Sequence, residues 1–233
     1  MPREPLAAYP ARGGPLGLRS LARNWVALVA SLAISPPPVR GSFARGDGRC
    51  VFVIPAFLAG DWATARLRHF LKKLGYRVET AGIVFNLGPT TRLVAKLDAT
   101  LLRLSSDAPI DVIGQSLGGV LARGLVRRHP ERVRRLITLC SPIRVPITTP
   151  LAPAARLLER FFDSDWLARR DAIAMPPGVP VTALYSEEDG VVDWHEYLLE
   201  EGSGGENVRV AGAHATIGSS PSALAAIARA LSS

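Results

Sequence analysis

The stretch Ile110-Asp-Val-Ile-Gly114-Gln115-Ser116-Leu117-Gly118-Gly119 constrains this chain more than any other. A short apolar run leads straight into Gly-x-Ser-x-Gly, and a helical pattern from Leu117 to Arg128 begins at once. A strand that turns into a helix this sharply leaves no room for side chains beside the turn, which explains Gly114 and Gly118. The serine between them takes a strained backbone conformation. Its hydroxyl projects from the sheet edge above a helix N-terminus, where developing negative charge is favoured. The glycine-rich turn of a nucleotide-binding fold is the competing explanation. That turn reads Gly-x-Gly-x-x-Gly near the first strand, with an acid about 20 residues further on, and this sequence has neither.

Strands and helices alternate around this turn. Val51–Ile54, β-branched and stopped by Pro55, reads as a buried parallel strand. Trp62 to Leu74 carries apolar residues at helical spacing and stops at Gly75. Strands are expected at 76–80, 110–113, 133–139, 181–185 and 208–210, and helices at 91–104, 117–128 and 221–231. The pattern predicts a single-domain α/β fold: a mostly parallel sheet of about six strands with helices on both faces. Right-handed crossovers send every strand's C-terminal end to one edge, where ligands bind in such sheets. The domain is expected over 46–233, with 1–45 as an N-terminal extension. Residues 142–178 break the rhythm with several prolines and one amphipathic stretch, Ala154 to Leu167, and read as a short cap or lid.

Charge and cysteines exclude some roles. The net charge is +8, and the basic residues are almost all arginine. They are scattered and not interleaved with aromatics as a single-strand binder requires, so no nucleic-acid partner is expected. The surplus leaves peripheral contact with a lipid surface open. The two cysteines, Cys50 and Cys140, fall at opposite ends of the sheet and are expected to be free thiols; no metal-ligand spacing occurs. Arg12, Arg19 and Arg23 precede the apolar segment 25–34. That segment is too short to span a membrane. The expectation is a cytoplasmic protein, or an exported one if this segment is a signal peptide.

A serine hydroxyl needs a base. Of the four histidines, His69 reads as a surface residue and His129 as a helix cap. His195 and His214 both fall at the C-terminal edge. His214, after the last strand, fits the chain order Ser, acid, His and is the first choice. The acid is expected after the fifth strand, in Ser186-Glu-Glu-Asp189-Gly190-Val-Val-Asp193. Asp189 is first choice because Gly190 frees its turn; Asp193 is second, with Glu187 and Glu188 expected in solvent. An oxyanion hole would use the N–H groups of Leu117 and of Phe57, the latter in the loop after the first strand.

These pieces together resemble the lipase- and esterase-type α/β-hydrolases, including the branch similar to GPI inositol-deacylases. The resemblance covers about residues 46–232. It rests on Val-Ile-Pro-Ala-Phe-Leu after strand one, Asn86-Leu-Gly-Pro-Thr, Gly-Gln-Ser-Leu-Gly-Gly, Leu-Cys-Ser-Pro142, Tyr-Ser-Glu-Glu-Asp-Gly-Val-Val and Gly-Ala-His in this order. It implies hydrolysis of carboxylic esters of small molecules or lipids, without metal or cofactor. It also implies a substrate side formed by Gln115, Asn86, Phe161 and Trp166. An acyltransferase or thioesterase on the same triad is the near alternative. A binding protein that keeps the fold without catalysis is the distant one. The chain departs from the family at Pro55-Ala56, where His-Gly or Pro-Gly is usual; a methyl group there restricts the backbone beside the oxyanion hole.

Overall fold

The computed structural model describes residues 43–143 and 149–233, together with Ala22, Asn24 and Val26. The apolar segment at 25–34 therefore lies almost wholly outside the described residues.

Six parallel strands form one sheet: β1 Cys50–Ile54, β2 Arg77–Thr80, β3 Ile110–Gln115, β4 Val133–Leu139, β5 Val181–Tyr185 and β6 Gly205–Arg209. Their spatial order is β2-β1-β3-β4-β5-β6. The chain moves outward from β1 to β2, then returns to β3 on the other side of β1. That reversal opens a crevice at the C-terminal ends of β1 and β3, the usual ligand position in open α/β sheets.

Side-chain alternation along the strands feeds two helical layers. Val51 and Val53 of β1 pack toward α1 (Ala65–Leu74) and α6 (Pro221–Ser232), where Leu67, Leu71, Ile227 and Leu231 are buried. Cys50, Phe52 and Ile54 face the other way, onto Leu97 and Leu101 of α2 (Thr91–Leu104) and Leu121 and Leu125 of α3 (Leu117–Arg128). Cys50 and Cys140 are both free and buried. Asp111 and Gln115 are the buried polar residues of β3. Asp111 takes a two-pronged ion pair from Arg134, at 2.9 and 3.0 Å.

Among the element boundaries, the starts of α1 and β6 differ most from expectation. The segment before α1 opens as a tight 3-10 turn, Asp61–Thr64, because Asp61 Oδ2 accepts the Ile83 N–H at 2.9 Å and holds the turn against the loop after β2. β6 begins at Gly205 rather than Val208. Among the described residues it is an edge strand paired only with β5, and its first residues are exposed and polar and carry no apolar signal.

The amphipathic stretch expected over 154–167 is broken into α4 (Ala152–Leu158), a 3-10 turn (Glu159–Phe161) and α5 (Ser164–Ala168). The break has a local cause. Phe162 is extended and bridges Thr90 in the loop before α2. Asp163 then caps α5 by accepting the Trp166 N–H at 2.9 Å.

Candidate active site

The turn from β3 to α3 has the conformation its glycines foretell. Ser116 sits at φ 52°, ψ −123°. A Cβ at Gly114 would overlap the Gly119 backbone, and one at Gly118 would overlap the carbonyls of Ile54 and Pro55. The Ser116 N–H donates to Leu139 O at 2.8 Å, which ties the turn to the end of β4. Its side chain does not cap α3, so the hydroxyl is left for other work.

That hydroxyl lies 2.8 Å from His214 Nε2. His214 opens a 3-10 turn in the loop after β6 and is 6% exposed. Two amide side chains hold this loop: Gln115 Nε2 donates to His214 O at 3.1 Å, and Asn24 Oδ1 accepts the Ala215 N–H at 3.2 Å. On its far side the ring faces Asp189, with Nδ1 2.6 Å from Oδ2. A carboxylate there keeps the hydrogen on Nδ1 and leaves Nε2 to accept from the serine.

Asp189 is itself held on both oxygens. Oδ1 accepts the N–H groups of Val191 and Val192 at 2.8 and 3.1 Å, and Oδ2 also accepts the Tyr197 hydroxyl at 2.8 Å. Burial alone would raise this carboxyl. The His214 charge and these donors outweigh it and hold Asp189 below the usual carboxylate range. The Cys140 thiol is fully buried beside Asp189, and burial followed by the Asp189 charge pushes it well up.

The rival residues lie elsewhere. His195 and Asp193 pair with each other at 2.7 Å, and His195 stacks on Trp194. Glu187 pairs with Arg209, and Glu188 accepts the Gly212 N–H. His69 is exposed. His129 caps α3 and bonds Asp98.

Parallel register sets Ile54 beside Gly114, so the loop carrying Phe57 runs next to Ser116 and Leu117. Leu58 adopts a positive φ of 58°, and its N–H donates to Asn86 O at 2.8 Å. Asn86, expected at the substrate, does not line the pocket. It is fully buried, with Nδ2 donating to Pro55 O and Oδ1 accepting from the Gly88 N–H. Its role is to staple the Phe57 loop to the loop after β2. Gln115 borders a small recess of about 50 Å³ beside Ser116, with its amide turned to the His214 loop.

A larger apolar cavity of about 210 Å³ opens beside Ser116, walled by Phe57, Leu117, Val120, Phe162, Trp166 and Ile173, among others. Trp166 is where the sequence put it, but Phe161 is not. Phe161 ends a 3-10 turn, is 55% exposed and lies under the Arg160 guanidinium. The extended backbone of the next residue turns Phe162 inward against Gly88 instead. Phe162 and Leu167, which the sequence places with Phe161 and Trp166 over an acyl pocket, do line this cavity, whereas nothing in the sequence points to Tyr197 or Asn24. No local pattern marks a tyrosine eight residues past an acid, or an asparagine far upstream, as belonging to this site.

A family model described as the alpha/beta hydrolase fold matches residues 79–186, which run from within β2 to just past the end of β5 and include Ser116. The protein has the α/β-hydrolase fold. Among solved structures, lipase B of Aspergillus fumigatus is similar with a TM-score of 0.64 and 17% identity, covering 84% of this chain and 55% of that one. The thioesterase domain from the curacin biosynthetic pathway is similar at 0.55 and 15% identity, covering 82% and 93%. A pyrethroid hydrolase is similar at 0.56 and 18% identity, covering 79% and 98%. A 2-hydroxymuconate semialdehyde hydrolase of Pseudomonas putida is 51% identical over 45 residues, which are 19% of this chain and 16% of that protein's length. This α/β-hydrolase fold is built, among the described residues, on six strands that are all parallel.

Proposed function

We propose that the protein is a serine hydrolase that cleaves carboxylic esters with an apolar acyl group through an acyl-enzyme. The observation that carries this reading is the unbroken chain from Ser116 Oγ to His214 Nε2 at 2.8 Å and from His214 Nδ1 to Asp189 Oδ2 at 2.6 Å. In this reading the ester's acyl part enters the cavity beside Ser116. His214 takes the serine proton as Oγ attacks the carbonyl carbon, and Asp189 stabilises the imidazolium. The N–H groups of Phe57 and Leu117 hold the oxyanion. His214 returns the proton to the leaving alcohol, then activates water to release the acid.

The apolar walls of the cavity support an uncharged acyl group. Val84, Phe85, Leu87 and Phe161 are exposed in the loop after β2 and in the cap. They support contact with a lipid or another amphiphilic ester.

A fluorophosphonate probe and a series of p-nitrophenyl esters test the reading. The folded protein is expected to label at Ser116 and to hydrolyse the esters, and Ser116→Ala and His214→Ala are expected to lose both activities. Folded protein that neither labels nor turns over any ester of the series would end it.

A further inference from the structure

Tyr197 is among the buried titratable groups that the mechanism above leaves unused. Tyr197 is 1% exposed, and its hydroxyl stands 2.8 Å from Asp189 Oδ2, 3.3 Å from His214 Nδ1 and 3.4 Å from Val192 O. It comes from a 3-10 turn, Trp194–Tyr197, that follows the acid's own loop. Asp193 caps that turn by accepting the His195 N–H at 3.0 Å.

We propose that Tyr197 is a positioning residue of the catalytic system: its hydroxyl shares Asp189 Oδ2 with the His214 N–H and fixes the carboxylate in the plane of the imidazole. The inference rests on the serine-hydrolase reading above.

The phenol has one proton to give. A charged carboxylate at 2.8 Å takes it ahead of a carbonyl at 3.4 Å. Nδ1 does not compete, because it carries a hydrogen of its own toward Asp189. The proton is also not readily lost, since burial and then the Asp189 charge push the phenol well above its ordinary range.

The rest of the carboxylate explains why one more donor matters. Backbone N–H groups fill Oδ1, and the Asp189 side chain is wholly buried, so bulk water cannot complete the shell of Oδ2. An acceptor left short in such a place costs free energy and is free to rotate. The phenol fills that position and draws charge from Oδ2. The ionisable or polar neighbours facing this cluster are the Cys140 thiol after β4, the Glu196 carboxylate on the tyrosine's own turn, and the Ser116 hydroxyl beyond the imidazole. Tyr197 borders neither cavity at Ser116, so its effect is expected on turnover rather than on substrate binding.

The test compares full-length wild type with Tyr197→Phe, which keeps the ring and removes the hydroxyl. With a p-nitrophenyl ester, kcat is expected to fall about tenfold while KM stays within about twofold. The acid limb of the kcat/KM profile is expected to move to higher pH, because an unshielded Asp189 grips the imidazolium more firmly. The downfield proton resonance of His214 Nδ1 is expected to move further downfield. A Tyr197→Phe protein with unchanged kcat, acid limb and Nδ1 resonance would reduce the hydroxyl to packing.

The resonance needs no turnover, so it tests Tyr197 even if the wild type proves inactive, a result that would remove the functional reading alone. If the phenylalanine variant does not fold, 3-fluorotyrosine at position 197 supplies a stronger donor on the same ring. It is expected to shift the Nδ1 resonance upfield, and no shift would overturn the proposal.

Discussion

Gly118 decides whether Ser116 can stand where it does. A methyl group there meets two carbonyl oxygens of β1 and its loop, and backbone cannot swing aside as a side chain does. Gly124, further along the same helix, is different. A Cβ there would lie 3.6 Å from Trp166 and Arg128, an ordinary contact. Gly118→Ala is therefore expected to cost about 1–3 kcal/mol by forcing α3 away from β1, seen as a lower urea midpoint at unchanged slope. Fluorophosphonate labelling of the folded fraction should slow as well; unchanged stability and labelling would refute the steric argument. This also explains what single residues disclose in sequence. Ser116, Asp189 and His214 were legible because a sharp turn, a freed loop and a chain order each demand a residue type. Asn86 and Gln115 were legible only as polar residues in a motif. Their amides bind backbone carbonyls, and nothing in the sequence distinguishes an amide that faces a substrate from one that staples a loop.

The cap is the element whose sequence and structure diverge most. Its apolar spacing predicts one amphipathic helix, yet the bridge from Phe162 to Thr90 and the Asp163 cap divide it in two. Both are contacts or backbone states that helical periodicity does not encode, whereas the core helices α2 and α3 follow their periodicity throughout and α1 does so after its opening 3-10 turn. The division matters for the pocket. Trp166 and Ile173 wall the apolar cavity beside Ser116 and also a second cavity of about 520 Å³ bordered by Asp98, Arg127, Arg128 and Arg169. The two residues form the partition between an oily space and a charged one. Trp166→Ala should join the cavities and shift the preferred p-nitrophenyl ester to a longer acyl chain. The ratio of kcat/KM for a long ester over a short one is expected to rise by about tenfold. A chain-length profile identical to that of wild type would mean the indole sets no boundary.

At the scale of the molecule, the sheet is what brings distant sequence together. The order β2-β1-β3-β4-β5-β6 makes the loops after β1, β3, β5 and β6 converge on one edge, and alternation of strand and helix was enough to foresee it. Two buried carboxylates make stability depend on pH with opposite sign, because the His214 charge and hydrogen-bond donors outweigh burial at Asp189 whereas burial prevails at Asp111. Asp189 is held below its unfolded value of about 3.9. Its ionised form therefore adds stability that is complete above about pH 5 and is lost as pH falls through the lower folded value. Asp111 is raised, because burial outweighs the pull of Arg134; its contribution is complete at acid pH and is lost as pH rises through the folded value. Urea unfolding of wild type, Asp189→Asn and Asp111→Asn between pH 3 and pH 7 separates the two. The stability gap between wild type and Asp189→Asn should narrow as pH falls from 5 toward 3, because the carboxylate that distinguishes them is being neutralised. Over the same range wild type should gain on Asp111→Asn, because the proton goes to a site where the fold prefers it. A gap to Asp189→Asn that stays constant down to pH 3 would mean that the folded protein does not favour the ionised acid, and the case for an imidazolium held by Asp189 would lose its electrostatic footing.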